Sequence, residues 1–204
     1  MACLTLLGKR ATTIREIIPL SPIIALGTTD VALKKNRSTY WGGSIPKMFD
    51  DTLTGRQKTL PKPTIIESGD ADNFYVQFSD GNSMWSGGLP HYLKGFLKAG
   101  NINTIALGQP GSFYSKNESG YNTSENLPKG LDNAITGRKK SLRCVHNVNL
   151  GPNGEWFIGF MDGSWSLNGH SERCHEVVNN LKGSGRKIKE ILLGADGMWM
   201  IRYD

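Results

Sequence analysis

The sequence predicts a mainly β protein with short helices, arranged as a closed, propeller-like ring of five units that each contain three strands and a helix. A glycine that ends an apolar strand recurs every 39 to 43 residues, at Gly27, Gly69, Gly108, Gly151 and Gly194. Asp-Gly hairpin turns and helical apolar spacing follow it in a constant order. Self-similarity at such a period is typical of propellers and stacked arrays. An open stack of the same βββα units is the alternative.

The fourth copy, LGPNGEWFIGFMDGSWSLNG, has the clearest strand pattern. Val148 and Leu150 stand three and one residues before the recurring glycine, which is the period-two spacing of a strand. A PNG turn leads to a second strand at residues 156–160, and Asp162-Gly163 is a strong hairpin signal before the third. Apolar residues occur on both faces of these strands, as in sheets packed between layers. This segment is therefore predicted to be architectural.

A short helix follows the third strand of each copy. In LPHYLKGFLKAG, the residues Leu89, Leu93 and Leu97 share one helical face, and a glycine ends the segment. The segments IPKMFDDTLTG, LPKGLDNAITG and HSERCHEVVNNLKG repeat the pattern, with Cys174 in the position of Leu93. Each helix is expected to cover the outer edge of a three-stranded blade, which protects that edge from pairing with another chain.

The chain is predicted to form one repeat domain whose last copy is split between the two ends. The copies span residues 21–60, 61–101, 102–142, 143–187 and 188–204. The last copy stops after its second strand, and residues 1–20 are expected to complete it. The segment LTLLGKR near the start resembles the helix ends DTLTGRQK and NAITGRKK. Such a split is typical of ring-closed repeats, whereas an open array needs polar caps.

The third copy, GSFYSKNESGYNTSENLPKG, departs from the consensus in its second and third strands. It is rich in Ser, Asn, Glu and Tyr where the other copies are apolar. Two interpretations are equally open. The copy has drifted freely, or it is adapted to contact a partner.

The pattern W-F-x-x-F-x-D-G-S-W after LGPNG, followed by helices of the GLP type, resembles a repeat of uncharacterised proteins from microbial eukaryotes. This resemblance runs from about Ile23 to Asp204 and implies no activity. More weakly, the five copies, their length and their aromatic-rich turns resemble the tachylectin-type five-bladed propeller lectins. That second resemblance implies carbohydrate binding. The helices depart from the lectin pattern, and no sugar-contacting residue carries over position by position.

Composition and charge restrict the class of protein. Of the 204 residues 25 are glycine, which suits many tight turns, and the net charge of +6 favours an anionic partner. The three cysteines form no C-x-x-C pair, which favours a reducing, intracellular compartment. Three N-x-S/T triplets, at Asn36, Asn117 and Asn122, leave secretion as the alternative. No run reaches about 18 apolar residues, so no membrane span is predicted.

Basic residues recur just after the predicted helix ends, and we call them the basic band. Its members are Arg56, Lys58, Arg138, Lys139, Lys140, Arg186 and Lys187. In a closed ring, residues at one phase of the repeat lie on one rim. There they would dock a protein, a glycan or RNA, although no aromatic RNA-binding motif accompanies them. The alternative is structural, because cations complement the carboxyl ends of helices and keep a surface soluble.

Residues with catalytic or metal-binding chemistry form no recognised motif. Cys144-x-His146 and His170-x-x-x-Cys174-His175 offer zinc ligands, but Cys174 occupies an apolar core position of the repeat. The sequence has no G-x-S-x-G elbow, and GQPGS lacks the features of a phosphate-binding loop. The sequence therefore predicts no metal, no cofactor and no enzyme activity. An enzyme with an unrecognised site is a further alternative.

The predicted function is that of a non-catalytic binding or scaffold protein that docks a macromolecular partner, as a subunit of a larger assembly. The alternative is a lectin with one site per repeat, near the Asp-Gly turns and the tryptophans of the third strands. Its candidate residues are Trp41, Asp80, Trp85, Asp162 and Trp165.

Overall fold

The described part of the chain is mainly β, with sixteen strands and three short helices. The computed structural model describes the backbone of residues 2–7, 17–18, 23–26, 30–35 and 38–43. It describes backbone and side chains for residues 51, 61, 63–70, 73–137, 145–194 and 197–204. No helix within these residues is long and apolar enough to cross a membrane.

The strands form five small antiparallel sheets, which we number in chain order. Sheet 1 contains β3 (Ile23–Leu26), β4 (Asp30–Lys35) and β5 (Ser38–Gly43). Sheet 2 contains β6 (Pro63–Ser68), β7 (Phe74–Phe78) and β8 (Ser83–Trp85). Sheet 3 contains β9 (Ile102–Leu107), β10 (Phe113–Asn117) and β11 (Gly120–Thr123). Sheet 4 contains β12 (Val145–Leu150), β13 (Trp156–Phe160) and β14 (Trp165–Asn168).

Sheet 5 has four strands and joins the two ends of the described chain. Its order is β15 (Ile188–Leu193), β16 (Trp199–Tyr203), β1 (Ala2–Leu7) and β2 (Ile17–Ile18). Strand β1 runs antiparallel to β16, from the pair Cys3 and Tyr203 to the pair Leu7 and Trp199. The expected likeness of LTLLGKR to a helix end is therefore wrong for residues 4–7. The alternation of leucine with threonine suits a strand, and β16 provides the edge with which it pairs.

A helix follows the third strand of sheets 2, 3 and 4, as the apolar spacing predicts. These helices are α1 (His91–Lys98), α2 (Lys129–Gly137) and α3 (Glu172–Gly183). The helix predicted in IPKMFDDTLTG lies outside the described residues except for Asp51, which is helical. The Asp-Gly hairpins also form, with positive φ angles of 82° at Gly81 and 81° at Gly163. Glycine favours that left-handed conformation, because it has no Cβ.

Sheet 3 contains its second and third strands in spite of the unusual sequence of the third copy. Two residues separate β10 from β11, whereas four separate β13 from β14. The buried Asn117 makes the short turn, since its Oδ1 accepts hydrogen bonds from the backbone N–H groups of Ser119 at 2.9 Å and Gly120 at 3.1 Å. The polar sequence therefore encodes a tighter hairpin, and both strands form although their sequence departs from the consensus of the repeat.

The helices pack between consecutive sheets and supply the core. Leu93 of α1, Leu131 of α2 and Cys174 of α3 occupy the same position of the repeat, and each has 0% exposure. Each belongs to a cluster that contains residues from the sheet before its helix and from the sheet after it. The interpretation of Cys174 as a small buried apolar residue is confirmed. Burial also raises the pKa of its thiol to about 12, so the reactive thiolate is disfavoured.

The first strands of the sheets lie side by side in chain order. Strand β3 contacts β6, β6 contacts β9, β9 contacts β12 and β12 contacts β15. Strand β15 in turn contacts β3, the first strand of sheet 1. The sheets are therefore neighbours through their first strands, and the space between those strands is where polar side chains meet.

Candidate ligand cavity

A cavity of about 270 Å³ lies among the first strands of sheets 2 to 5. The apolar residues one and three positions before Gly108, Gly151 and Gly194 are buried in the clusters between sheets, as Ile105 and Leu107 are. Side chains alternate along a strand, so the residues two and four positions before the recurring glycine point the other way. In sheets 2 to 5 all of these residues except Ala106 line the cavity, and they are Ile65, Glu67, Thr104, Asn147, Asn149, Glu190 and Leu192.

Some of these polar side chains bind the backbone of the next sheet. Thr104 Oγ1 donates a hydrogen bond to the carbonyl of His146 at 3.1 Å. One repeat later, Asn147 Nδ2 donates to the carbonyl of Lys189 at 3.3 Å. Both bonds join residues 42 positions apart, which is the length of the repeat. Part of the polar lining therefore holds neighbouring sheets together.

The carboxyl group of Glu67 is held uncharged at neutral pH. Burial raises its pKa to about 8, and the charge of Glu190 adds to the rise, although the bond from Leu107 opposes it. In that bond the backbone N–H of Leu107 donates to Glu67 Oε1 at 3.1 Å. A protonated carboxyl group can donate a hydrogen bond as well as accept one. The cavity wall therefore contains a neutral acid.

The remaining polar groups of the wall are balanced in charge. Arg202 Nη2 lies 3.3 Å from Glu190 Oε2, and both side chains are largely buried. Two amide atoms in the wall, Oδ1 of Asn147 and Nδ2 of Asn149, are buried and have no hydrogen-bond partner among the described residues. Buried polar atoms without a partner cost free energy, which is recovered when the side chain turns to meet a bound polar molecule. The arrangement suits a small, uncharged ligand with both donors and acceptors.

The pKa of Glu67 makes the stability of the fold depend on pH. The ordinary pKa is 4.5 and the folded value about 8, so the folded chain retains a proton that the unfolded chain releases between these values. Stability therefore falls as pH rises across this window. Glu67→Gln keeps an acceptor for Leu107 and is expected to raise the free energy of unfolding by about 2 kcal/mol at about pH 9, after allowance for screening by water.

Urea denaturation of the two proteins at about pH 5 and about pH 9 checks this expectation. The difference between them should be large at the higher pH and small at the lower one. Glu118→Gln is the matched control, because Glu118 is exposed in the hairpin of sheet 3. Parallel pH curves for Glu67→Gln and the unchanged chain would contradict the assignment of a raised pKa to Glu67.

The aspartates of the lectin alternative stabilise turns. Asp80 Oδ1 accepts a bond from the backbone N–H of Asn82 at 3.0 Å, and its Oδ2 accepts one from Asn82 Nδ2 at 2.7 Å. Asp162 Oδ1 accepts a bond from the backbone N–H of Ser164 at 2.9 Å. Both are the local bonds by which aspartate fixes a hairpin. The turn role predicted for the Asp-Gly pairs is confirmed at both positions.

The tryptophans of the lectin alternative lie in third strands. Trp85 is partly buried against the cluster between sheets 2 and 3. Trp165 is partly buried against the cluster between sheets 4 and 5, and its ring stacks on Phe157 with centroids 6.5 Å apart. The backbone of Trp41 pairs with Ala32 in sheet 1, and its side chain lies outside the described residues. Packing between sheets accounts for the two described rings.

The structure places two members of the basic band. Arg186 and Lys187 are exposed just after α3, and the backbone N–H of Arg186 bonds to the carbonyl of Leu181 at 2.9 Å. Both cations therefore lie where they complement the helix end. The other five members lie outside the described residues and are Arg56, Lys58, Arg138, Lys139 and Lys140.

The described histidines and cysteine do not form a metal centre. The rings of His170 and His175 meet edge to face with centroids 6.0 Å apart. Burial, and then the charge of His175, lower the pKa of His170 to about 4. Within the described residues no three His, Cys, Asp or Glu side chains converge on one point that could hold a metal ion. Cys144 lies outside these residues.

The cavity residues were not predicted from the sequence. Their signal is the second set of alternating positions in each first strand, where Glu67, Thr104, Asn147 and Glu190 interrupt an apolar run. No protein-family model matches the chain, and no curated protein is significantly similar to it in sequence.

Proposed function

We propose that this protein is a non-catalytic binding protein whose five units close into a ring around a ligand cavity. Closure is supported by the unbroken series of contacts between first strands, in which β15 contacts β3. It is also supported by sheet 5, which contains strands from both ends of the chain. A ring of this kind gives every sheet two neighbours and leaves its first strands around a common axis.

The ligand cavity carries the functional part of the proposal. Its wall combines the neutral carboxyl group of Glu67, the ion pair of Glu190 with Arg202, and the side chains of Asn147 and Asn149, each of which has one buried amide atom without a partner among the described residues. Among the described residues of the wall, a charged ligand would find no uncompensated opposite charge. A neutral molecule with hydroxyl or amide groups offers both kinds of hydrogen bond in a volume of about 270 Å³. We therefore assign the cavity to a small uncharged polar ligand.

Carbohydrate binding is the second candidate, since sugar hydroxyls both donate and accept. The cavity predicts one site per chain, whereas the lectin alternative predicts one site per repeat near Trp85 and Trp165. The number of bound sugars therefore separates the two. Docking of an anionic macromolecule through the basic band, as part of a larger assembly, stays a prediction.

The experiment is a calorimetric titration of the full chain with neutral monosaccharides, the matching sugar acids and the matching amino sugars. We expect one neutral sugar or amide to bind at one site. Asn149→Ala should weaken that binding by about tenfold, the effect of losing one hydrogen bond to a desolvated partner. Asn179→Ala is the matched control, because Asn179 is exposed on α3.

Two results would overturn the assignment of the cavity. One is the absence of binding by every neutral compound while a charged one binds. The other is an equal affinity of the Asn149→Ala and Asn179→Ala variants for the ligand that binds. Several sites per chain would favour the lectin alternative instead.

A further inference from the structure

The fourth residue of each second strand occupies one phase of the repeat. In sheets 2, 3 and 4 it is Gln77, Lys116 and Gly159. Gln77 and Lys116 are part of the packing between sheets, whereas Gly159 has no side chain to contribute. The contacts of Gln77 and Lys116 therefore indicate which chemical group the space beside Gly159 can hold.

Gln77 binds both backbone groups of one residue in the next sheet. The backbone N–H of Ile102 donates to Gln77 Oε1 at 2.8 Å. Gln77 Nε2 donates to the carbonyl of Ile102 at 3.1 Å. One repeat later, Lys116 Nζ donates to the carbonyl of Val145 at 2.9 Å. In two successive copies a side chain thus caps the first residue of the next sheet.

Ile188 is the corresponding first residue of sheet 5. It pairs with Tyr203 in the ladder as Ile102 pairs with Asn117, and in both ladders an irregularity adjoins that pair. The backbone of Ile188 is therefore oriented in its sheet as that of Ile102 is. A cavity of about 180 Å³ lies here, lined by Gly159 on one side and by Ile188 and Lys189 on the other.

Asn147 explains how sheet 4 tolerates the glycine. A Cβ atom built on Gly159 would collide with Oδ1 of Asn147, so the asparagine covers the glycine. Its Nδ2 bonds to Lys189, the residue after Ile188. Sheets 3 and 4 are joined by two such bonds, from Thr104 and from Lys116. Sheets 4 and 5 therefore keep the counterpart of the first bond only. The cavity lies where the counterpart of the second bond, that of Lys116, would be.

We propose that this cavity binds a primary carboxamide, in the manner of the Gln77 side chain at Ile102. An amide can donate to the carbonyl of Ile188 and accept from its N–H. An ammonium group cannot accept, and a carboxylate cannot donate. Lys189 is paired with Asp204 at 2.9 Å, so the described residues of the rim favour neither charge. Met161, which is 67% exposed, offers an apolar contact for the carbon chain of the ligand.

Propionamide is the probe, and the backbone N–H signals of Gly159 and Ile188 in the full chain are followed by NMR. We expect saturable shifts of both signals. N,N-dimethylpropionamide lacks the donor and propionate is charged, so each should bind at least about tenfold more weakly, as expected for one lost hydrogen bond. Absence of saturable shifts, or equal binding of the dimethyl compound, would overturn the proposal.

The double variant Asn147→Thr with Gly159→Gln supplies the amide from the chain itself. Thr at this position reproduces Thr104, whose hydroxyl binds the next sheet in the preceding repeat. The double variant should keep its fold, melt at a higher temperature and no longer bind propionamide. The single variant Asn147→Thr should still bind propionamide. Retained binding in the folded double variant would overturn the proposal.

A third comparison identifies the source of the amide. The peptide Gly-Gln-Gly is titrated beside propionamide, with Gly-Glu-Gly as its control. Tighter binding of the glutamine peptide assigns the site to a side chain of a partner protein, and tighter binding of propionamide assigns it to a free small amide. His146 lines both cavities, but the amide probes and the Gly159 and Ile188 signals report on this one alone, so these outcomes are read separately from the monosaccharide titration.

Discussion

Deletion of residues 1–7 is expected to lower the melting temperature by about 10–20 °C. Five residue pairs join β1 to β16. If each contributes about 1 kcal/mol, the loss is about 5 kcal/mol, and 1 kcal/mol corresponds to roughly 2–4 °C in a chain of this size. The deletion also leaves β2 without its neighbour in the sheet. Differential scanning calorimetry measures the change.

A pair of substitutions tests the same strand without shortening the chain. Thr5 pairs with Ile201 in the middle of β1. Thr5→Pro removes a backbone donor inside the sheet and should destabilise the fold strongly. Thr5→Val is the control, because valine is as favourable in a strand as threonine. Equal melting temperatures for the two variants would show that β1 contributes little to the fold.

The repeating part of the fold could be predicted because each element has a local signal. Alternating apolar residues mark β12 and β13, and the Asp-Gly turns mark the hairpins between second and third strands. The helical spacing of Leu89, Leu93 and Leu97 marks α1, and the same spacing places Cys174 in the core. These signals depend on residues within about one element of each other, so a single sequence contains them.

The polar contacts between sheets could not be predicted in the same way. Gln77 and Ile102 are 25 positions apart, and Thr104 and His146 are 42 apart. Only the packing of whole sheets brings such residues together. For the same reason β1 could not be predicted. Its six residues have a weak strand signal, and it is the pairing with β16 that makes them a strand. The raised pKa of Glu67 could not be predicted either, because it is an effect of burial.

Leu131→Ala is expected to reduce the free energy of unfolding by about 3 kcal/mol. The side chain has 0% exposure and lies in the cluster that contains Tyr114 of sheet 3 and Ile158 of sheet 4. Removal of a buried leucine leaves a cavity and typically costs about 2–5 kcal/mol. Asn133→Ala on the same helix is the control, because Asn133 is exposed. Urea denaturation followed by fluorescence gives both values.

The shape of the Leu131→Ala transition also separates the ring from the open stack. In a ring, sheets 3 and 4 each keep a second neighbour when the interface between them is weakened, so unfolding should remain one transition at a lower urea concentration. In an open stack, the sheets on either side of that interface are joined only there and can unfold in separate steps. Adding Leu131→Ala to the deletion of residues 1–7 weakens the interface between sheets 3 and 4 and also removes the pairing of β1 with β16, which joins the two ends of the described chain. The ring therefore predicts one unfolding transition for Leu131→Ala alone and one for the deletion alone. It predicts two unfolding transitions for the chain that carries both changes.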